Sequence, residues 1–403
     1  MKSIIAFAAA ASLGALSLRA GVENVVVSQS SPSEVVITYD LTGTSAAIVT
    51  IDVTTNGVSV GGAHLRTLSG AVNRLVQPGT GLVARWKAYK DLLGNVETAT
   101  VKAVVTAWDP STPPDYMIVD LQDSESTSVH EYYADIEAIP LGFSNNLYKT
   151  AKMIFRRVPA AGVTFRMGSA SNEANRNANR EIPHHVLLTN DFWLGIYTMT
   201  RGQYNTLVNG TVSTVSDPFQ PKIIDTGYDT VRGADPANAP SSSSILGTFK
   251  ARTGLDADLP TDAEFEFAHR AGVEGPIVNP EYTYANNHAD TKKIDWWGES
   301  TLKEVGLLEP NRWYFYDMGG NSANYVKDYY ADGDNYRNTF GSNYTTEPVV
   351  APLISTDIAG NQRHVARGGR YNMDNASNTR PAHRYWIEGL LSYASLRIAV
   401  PIH

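Results

Sequence analysis

His184 and His185 stand side by side ahead of Val186-Leu187-Leu188, and a bound metal ion is the chemistry that two imidazoles invite. Neighbours on a strand point to opposite faces, so the pair cannot hold one ion together and each reads as structural. The nine histidines are otherwise scattered, with no His-x-x-x-His spacing in a helical context. Asp328, Asp332 and Asp334 around Gly333 imitate a calcium loop, but the glycine has the wrong offset for an EF-hand, which leaves a solvated acidic turn. Glu264 and Glu266, two residues apart on a helix, face different directions and make no acid–base pair. Glu264 is explained as half of a capping box with Thr261. Arg370, Arg380 and Arg384 offer cations to an anionic ligand or to the chain's own carboxylates, the second being the commoner use. Aromatic residues crowd the chain after position 280, among them Trp296, Trp297, Trp313, Tyr314, Tyr316, Tyr325, Tyr329, Tyr330, Tyr336, Tyr371, Tyr385 and Trp386. Some must fill a core and others could form a platform for sugar or peptide, and spacing alone does not sort them.

The chain has no cysteine, which removes thiolate zinc sites, iron–sulfur sites and every thiol nucleophile. Residues 1–20 read as a secretory signal: Lys2 gives positive charge, Ile4 to Leu16 a short apolar run, and Leu18-Arg19-Ala20 a cut before Gly21. Its removal takes away Lys2 and Arg19 and no acid, leaving 41 acids against 31 bases, a net charge near −10. That balance disfavours a nucleic-acid partner, which needs a basic footprint. No later apolar stretch is long enough for a membrane span. The expected location is secreted or periplasmic, outside the cytoplasm.

At 403 residues the length suits two domains. Residues 21–109 alternate at a two-residue period through Val25-Val26-Val27, Glu34 to Tyr39, Ala47 to Val53 and Thr98 to Val105, with breaks at Gly43, Asn56-Gly57, Gly61-Gly62, Pro78-Gly79 and Gly94-Asn95. This pattern predicts a small β-sandwich, Ig-like, with Trp86 and Trp108 as core anchors. Residues 110–151 are a linker and transition, opened by the Pro110 to Pro114 stretch. The strand-like runs Tyr116 to Leu121 and Lys152 to Arg157 either bridge the domains or belong to the second. From 152 to 403 only two helices are expected, one from near Thr200 through Val208 and one after Pro260, capped by Thr261 and Glu264.

Several segments of the second half carry a resemblance in order and with sensible spacing. They are Phe165-Arg166-Met167-Gly168-Ser169 followed by Glu181 to Val186 and Phe192 to Gly195; Tyr197 to Tyr204; Leu259 to Gly272; Pro310 to Asn321; and Arg367-Gly368-Gly369-Arg370-Tyr371 with Leu396-Arg397-Ile398-Ala399. Over roughly 152–400 the chain resembles the formylglycine-generating enzyme, or sulfatase-modifying factor, family. The resemblance implies an α+β, loop-rich, C-type-lectin-like fold behind the β-sandwich. In active members two cysteines beyond a Gly-Gly-Ser turn bind copper(I) and oxidise a substrate cysteine. Here those positions fall on Met373 and Asn378, and Arg370 replaces the turn serine, so no copper is expected.

The family's calcium positions correspond to Asp317, Gly320, Ser322 and Asn324, with an amide in place of a carboxylate at 324, and Asn286 and Asn287 match the second family site. Structural calcium is one expectation; Asp317 and Asn321 as mere turn caps are the plainer one. Two functional readings follow. One is a catalytically silent recognition module for a peptide, glycan or cell-surface protein, using a cleft around Arg370, Tyr371, Asn372, Met373, Asn378 and Arg380. The other is an oxidoreductase or other enzyme working through a remodelled, thiol-free cleft; an inert envelope scaffold is a weaker third.

Overall fold

The computed structural model describes residues 20–402 except 32, 44, 93–99, 123–129, 285–288, 342, 345, 359, 361 and 388–392. The signal segment up to residue 19, the Gly94-Asn95 break, Thr98-Ala99 and Asn286-Asn287 therefore lie outside the described residues. Two compact units divide the chain: Met1–Ser59 with Thr67–Thr112, and Val60–Arg66 with Pro113–His403.

The first unit consists of strands β1 (Gly21–Ser31), β2 (Glu34–Thr42), β3 (Ala47–Thr55), β4 (Val58–Ser59), β5 (Ser69–Gly70), β6 (Arg74–Val76), β7 (Gly79–Trp86) and β8 (Val101–Trp108), with one short helix, α1 (Ala88–Asp91). One antiparallel sheet has the order β1-β2-β7-β5; in the other, β4, β6 and β8 all pair with β3. Alternation in β2 turns Val35, Ile37, Tyr39 and Leu41 inward, each burial contributing about 1.5–3 kcal/mol. Trp86 is buried and its indole N–H donates to Asp91 at 2.9 Å, which satisfies the polar edge of the ring.

The second unit carries β9 (Tyr116–Asp120), β10 (His130–Tyr133), β11 (Lys152–Val158), β12 (Val163–Met167), β13 (His184–Leu188), β14 (Phe192–Gly195), β15 (Ala323–Tyr329), β16 (Val349–Val350), β17 (His364–Arg367), β18 (Arg384–Ile387), β19 (Ala394–Leu396) and β20 (Ala399–Pro401). Its helices are α2 (Arg201–Asn209), α3 (Tyr228–Arg232), α4 (Ile245–Thr253), α5 (Asp262–Arg270) and α6 (Gly333–Phe340). The two strand-like runs around the expected transition, β9 and β11, are neighbours inside the five-stranded sheet β10-β9-β11-β14-β20. A second sheet is β12-β13-β16, and a third, β18-β17-β15-β19, leads directly into the candidate site. The fold is thus α+β, with short strands and few helices joined by long loops.

Both expected helices form, each with a complete capping box: Thr200 with Gln203 on α2, Thr261 with Glu264 on α5. Three further α-helices, α3, α4 and α6, lie where the sequence predicts none. α4 follows the serine run, and Ser244 caps it by accepting from the Gly247 N–H at 3.0 Å. α6 occupies the stretch expected to be an acidic turn, because Tyr336 and Phe340 join Ile182, Tyr344 and Ile354 in a buried cluster. That packing supplies what an eight-residue helix lacks on its own. Asp328 is no solvated acid either: it is buried and accepts from the N–H groups of Asp262 and Ile354 at 2.7 and 2.8 Å.

The third sheet divides the core by its two-residue period. Val326 and Val365 face an apolar cluster that includes Phe265 and Phe267, while Tyr325, Ala366 and Leu396 face one that includes Phe155, Trp193 and Phe249. No described helix is long and apolar enough to cross a membrane.

Candidate functional site

β17 ends at Arg367, and the chain turns at Gly368-Gly369 into a loop that rejoins the sheet at Arg384. Both glycines have positive φ, 85° and 73°, and a Cβ on Gly369 would stand 2.5 Å from the Asn378 carbonyl oxygen. Only glycine fits there, and its absence of a side chain lets the two arms of the loop touch. Backbone bonds fix the rest: Gly320 N–H to Gly368 O at 2.6 Å, Tyr371 N–H to Asn321 O at 2.8 Å, Glu299 N–H to Tyr371 O and Gly298 N–H to Met373 O, both 2.8 Å. Asn375 accepts from the Ser377 N–H at 2.9 Å and starts the short 3-10 turn Ala376–Asn378. Asn372 is exposed, while Arg370, Tyr371, Met373 and Asn378 are partly buried.

Beneath the loop lies a buried ionic network. Arg367, with no exposed surface, pairs with Asp262 in the first turn of α5 and, at 2.9 Å, with Glu266 one turn on. Its remaining N–H groups donate to the Pro381 and His383 carbonyls at 2.9 and 3.3 Å, so the network holds the returning arm of the loop. Arg384 pairs with Asp262 at 2.7 Å, and Arg270 pairs with Glu266 at 2.7 Å. Glu266 also accepts from the Gly168 N–H at 2.8 Å. Burial pushes the Asp262 carboxyl up, but the Arg367 and Arg384 guanidiniums outweigh it and hold the group below its ordinary value. Glu264 caps the helix as expected, and Glu266, facing another direction, pairs with Arg367 beneath the loop, a role that its spacing does not mark.

The three candidate arginines differ sharply. Arg380 is buried and saturated, bonded to Glu173 at 2.5 Å, to Glu181 at 2.9 and 2.7 Å, and to the Asn175 and Ser377 carbonyls at 3.0 Å. Arg384 is taken by Asp262 and by the Ala331 carbonyl at 2.8 Å. Arg370 lies flat on the Tyr393 ring, 3.6 Å from its centroid, and its buried Nε has no partner.

His184 and His185 separate to opposite faces. His184 is buried, with Nδ1 at 2.9 Å from the Ile182 carbonyl and Nε2 at 3.0 Å from the Tyr336 hydroxyl, whereas His185 is exposed. Among the described residues no three His, Asp or Glu side chains group to hold a metal ion.

The donors at Met373 and Asn378, one thioether and one amide, do not fit copper(I), which requires soft thiolates. The calcium positions are hard oxygen throughout. Asp317 Oδ2 accepts from the Gly306 N–H at 2.8 Å, while its Oδ1 and the Ser322 Oγ are buried without partners. Asn324 accepts from the Thr198 hydroxyl at 3.1 Å and donates to the Ser322 carbonyl at 3.3 Å. One orphaned carboxylate oxygen fits a hard cation, and a single carboxylate makes the fit a weak one. Arg397 stands next to it, its guanidinium donating to the Tyr316 carbonyl at 2.6 Å and brought down to about 9 by burial, with Asp317 opposing.

Asp295 was missed by the sequence reading. Buried behind Gly319, it is pushed up to about 7, mainly by burial, and the neighbouring Asp317 adds to the effect. No spacing rule flags it, because its neighbours come from distant parts of the chain.

The sulfatase-modifying factor enzyme 1-like domain profile matches residues 148–390, more than half of the chain. Among solved structures, PvdO from Pseudomonas aeruginosa is similar at 19% identity and a TM-score of 0.47, covering 62% of this chain and 94% of that one. Variable protein 1 of Treponema denticola is similar at 18% identity and a TM-score of 0.43, covering 62% and 95%. No curated protein is significantly similar.

Proposed function

The chain belongs to the sulfatase-modifying factor enzyme 1-like family, and from that premise we propose that it is a binding module rather than an oxidase. Its cleft recognises a peptide, glycan or cell-surface partner outside the cytoplasm. The observation that carries this reading is the loop after Gly368-Gly369: the positions of the family's two cysteines hold Met373 and Asn378, in a chain with no cysteine anywhere. A frame whose nucleophiles are gone keeps what its backbone bonds preserve, a shaped and partly exposed surface of Arg370, Tyr371, Asn372 and Met373. Delivery by the N-terminal signal fits the cysteine-free, acidic chain, which needs no disulfide at this size.

Calcium is the accompanying proposal. Asp317, Gly320, Ser322 and Asn324 would hold it, and the ion would supply a structural tie between the Asp317 turn and the start of β15. Melting with and without calcium checks that arm: a rise that disappears in Asp317→Asn supports it, and no rise contradicts it.

The reading itself is tested on peptide and glycan arrays with the purified mature protein. Saturable binding that falls in Tyr371→Ala or Asn372→Ala, with the melting temperature unchanged, supports a recognition cleft. Turnover of a substrate, with no ligand retained on either array, would refute it.

A further inference from the structure

Tyr325 on β15, Ala366 on β17 and Tyr385 on β18 are register partners in one row across the sheet, so their side chains leave the same face. Ala366, itself without exposed surface, stands between the two rings. Both phenolic oxygens are buried and neither has a hydrogen-bond partner. Tyr325 itself has no exposed surface.

Arg370 leaves the same sheet three residues beyond the end of β17 and lays its guanidinium on the Tyr393 ring. Among the described residues its side chain makes no hydrogen bond and no ion pair, although Arg367, Arg380 and Arg384 nearby are all matched to carboxylates. The Tyr385 hydroxyl is within electrostatic reach of Arg370, Tyr393 and Tyr325. Burial pushes Tyr325 up to about 12 and Tyr385 higher still, so at neutral pH both remain O–H donors. A cation with a buried, unmatched N–H therefore stands by two unmatched phenols, and among the described residues no acceptor serves that N–H or either hydroxyl.

We propose that Arg370, backed by Tyr385 and Tyr325, anchors the carboxylate of the ligand that the cleft recognises. A carboxylate accepts only, so it satisfies donors that no described residue satisfies. The free edge of a guanidinium takes it in two parallel bonds, and the Tyr393 ring fixes the plane in which it must lie. The overall charge of the chain is negative, so recognition is local and gains nothing from long-range attraction. This inference rests on the binding reading above and specifies the chemistry of the same cleft.

Calorimetric titration of the full chain with glutarate tests it, with sodium chloride at matched ionic strength as control. Saturable binding is expected, weakened about tenfold or more in Arg370→Gln and severalfold in Tyr385→Phe, where each variant melts like the parent. Affinity should be flat from about pH 6 to 9 and fall only as the carboxylate protonates near its ordinary value of about 4.3. Should Arg370→Gln fail to fold, Tyr385→Phe and Tyr325→Phe carry the test. Glutarate binding that is absent, or equal in parent and variants, overturns the inference. Array binding that persists unchanged in Arg370→Gln would overturn it too, while leaving the wider reading intact.

Discussion

At the scale of single residues, the cleft depends on charges that are buried and matched rather than on charges that are exposed. Glu266 serves Arg367, Arg270 and the Gly168 N–H together, so Glu266→Ala leaves Arg270 without its acid and Arg367 with Asp262 alone in a dry interior. The expected loss is about 3–5 kcal/mol, read by denaturant unfolding, against almost nothing for loss of an exposed pair such as Arg337–Asp334. Buried histidine contributes one part of the pH dependence. His364 is stacked between Tyr228 and Tyr329, with centroids at 3.4 and 4.4 Å, and burial together with Arg232 pushes it down to about 3. Unfolded, it titrates near 6.5, so the unfolded chain takes up the proton first. Its neutral form contributes fully above about pH 6.5, and the contribution is lost as pH falls from there toward 3, by about 2 kcal/mol at pH 5. His364→Phe keeps the stacking and removes the proton, and should reduce the loss of stability between pH 7 and 5 by about that amount. An unchanged loss would show that another group sets the acid limit, His383 being the next candidate because burial and Arg380 push it to about 3 as well.

Secondary-structure elements separate what could be read from the sequence from what could not. α5 was legible because its signals are local: Thr261 and Glu264 at capping-box spacing and an apolar stripe behind them. Thr261→Ala should cost about 1 kcal/mol by thermal or urea melting. Thr200→Ala should cost more, since that hydroxyl caps α2 and also donates to the Lys149 carbonyl at 2.7 Å. α4 was hidden because three consecutive residues, Ile245, Leu246 and Gly247, are buried together with Phe249, which widens the buried face and blurs the 3.6-residue period on which recognition depends. α6 was hidden because its support is tertiary, from Ile182 and Ile354. The site shows the same division. Gly368-Gly369 and the substitution of both cysteines could be read directly, whereas the row Tyr325, Ala366, Tyr385 exists only through strand register, which no single strand encodes. The roles of the three arginines were likewise beyond sequence, because Glu173, Glu181 and Asp262, which take up two of them, lie about 120 to 210 positions away.

At the scale of the molecule, a unit built from two antiparallel sheets precedes an α+β unit of the sulfatase-modifying factor family, and cysteine is missing from the whole chain rather than from one position. No remote residue can therefore supply a thiol to a two-cysteine copper site. The account therefore stands on what the pure protein does to a thiol. A cysteine-containing peptide incubated with the purified protein, copper(I) and oxygen should keep its thiol by mass spectrometry to the same extent as in the protein-free control. Formation of the corresponding aldehyde in proportion to the amount of purified protein would contradict the account.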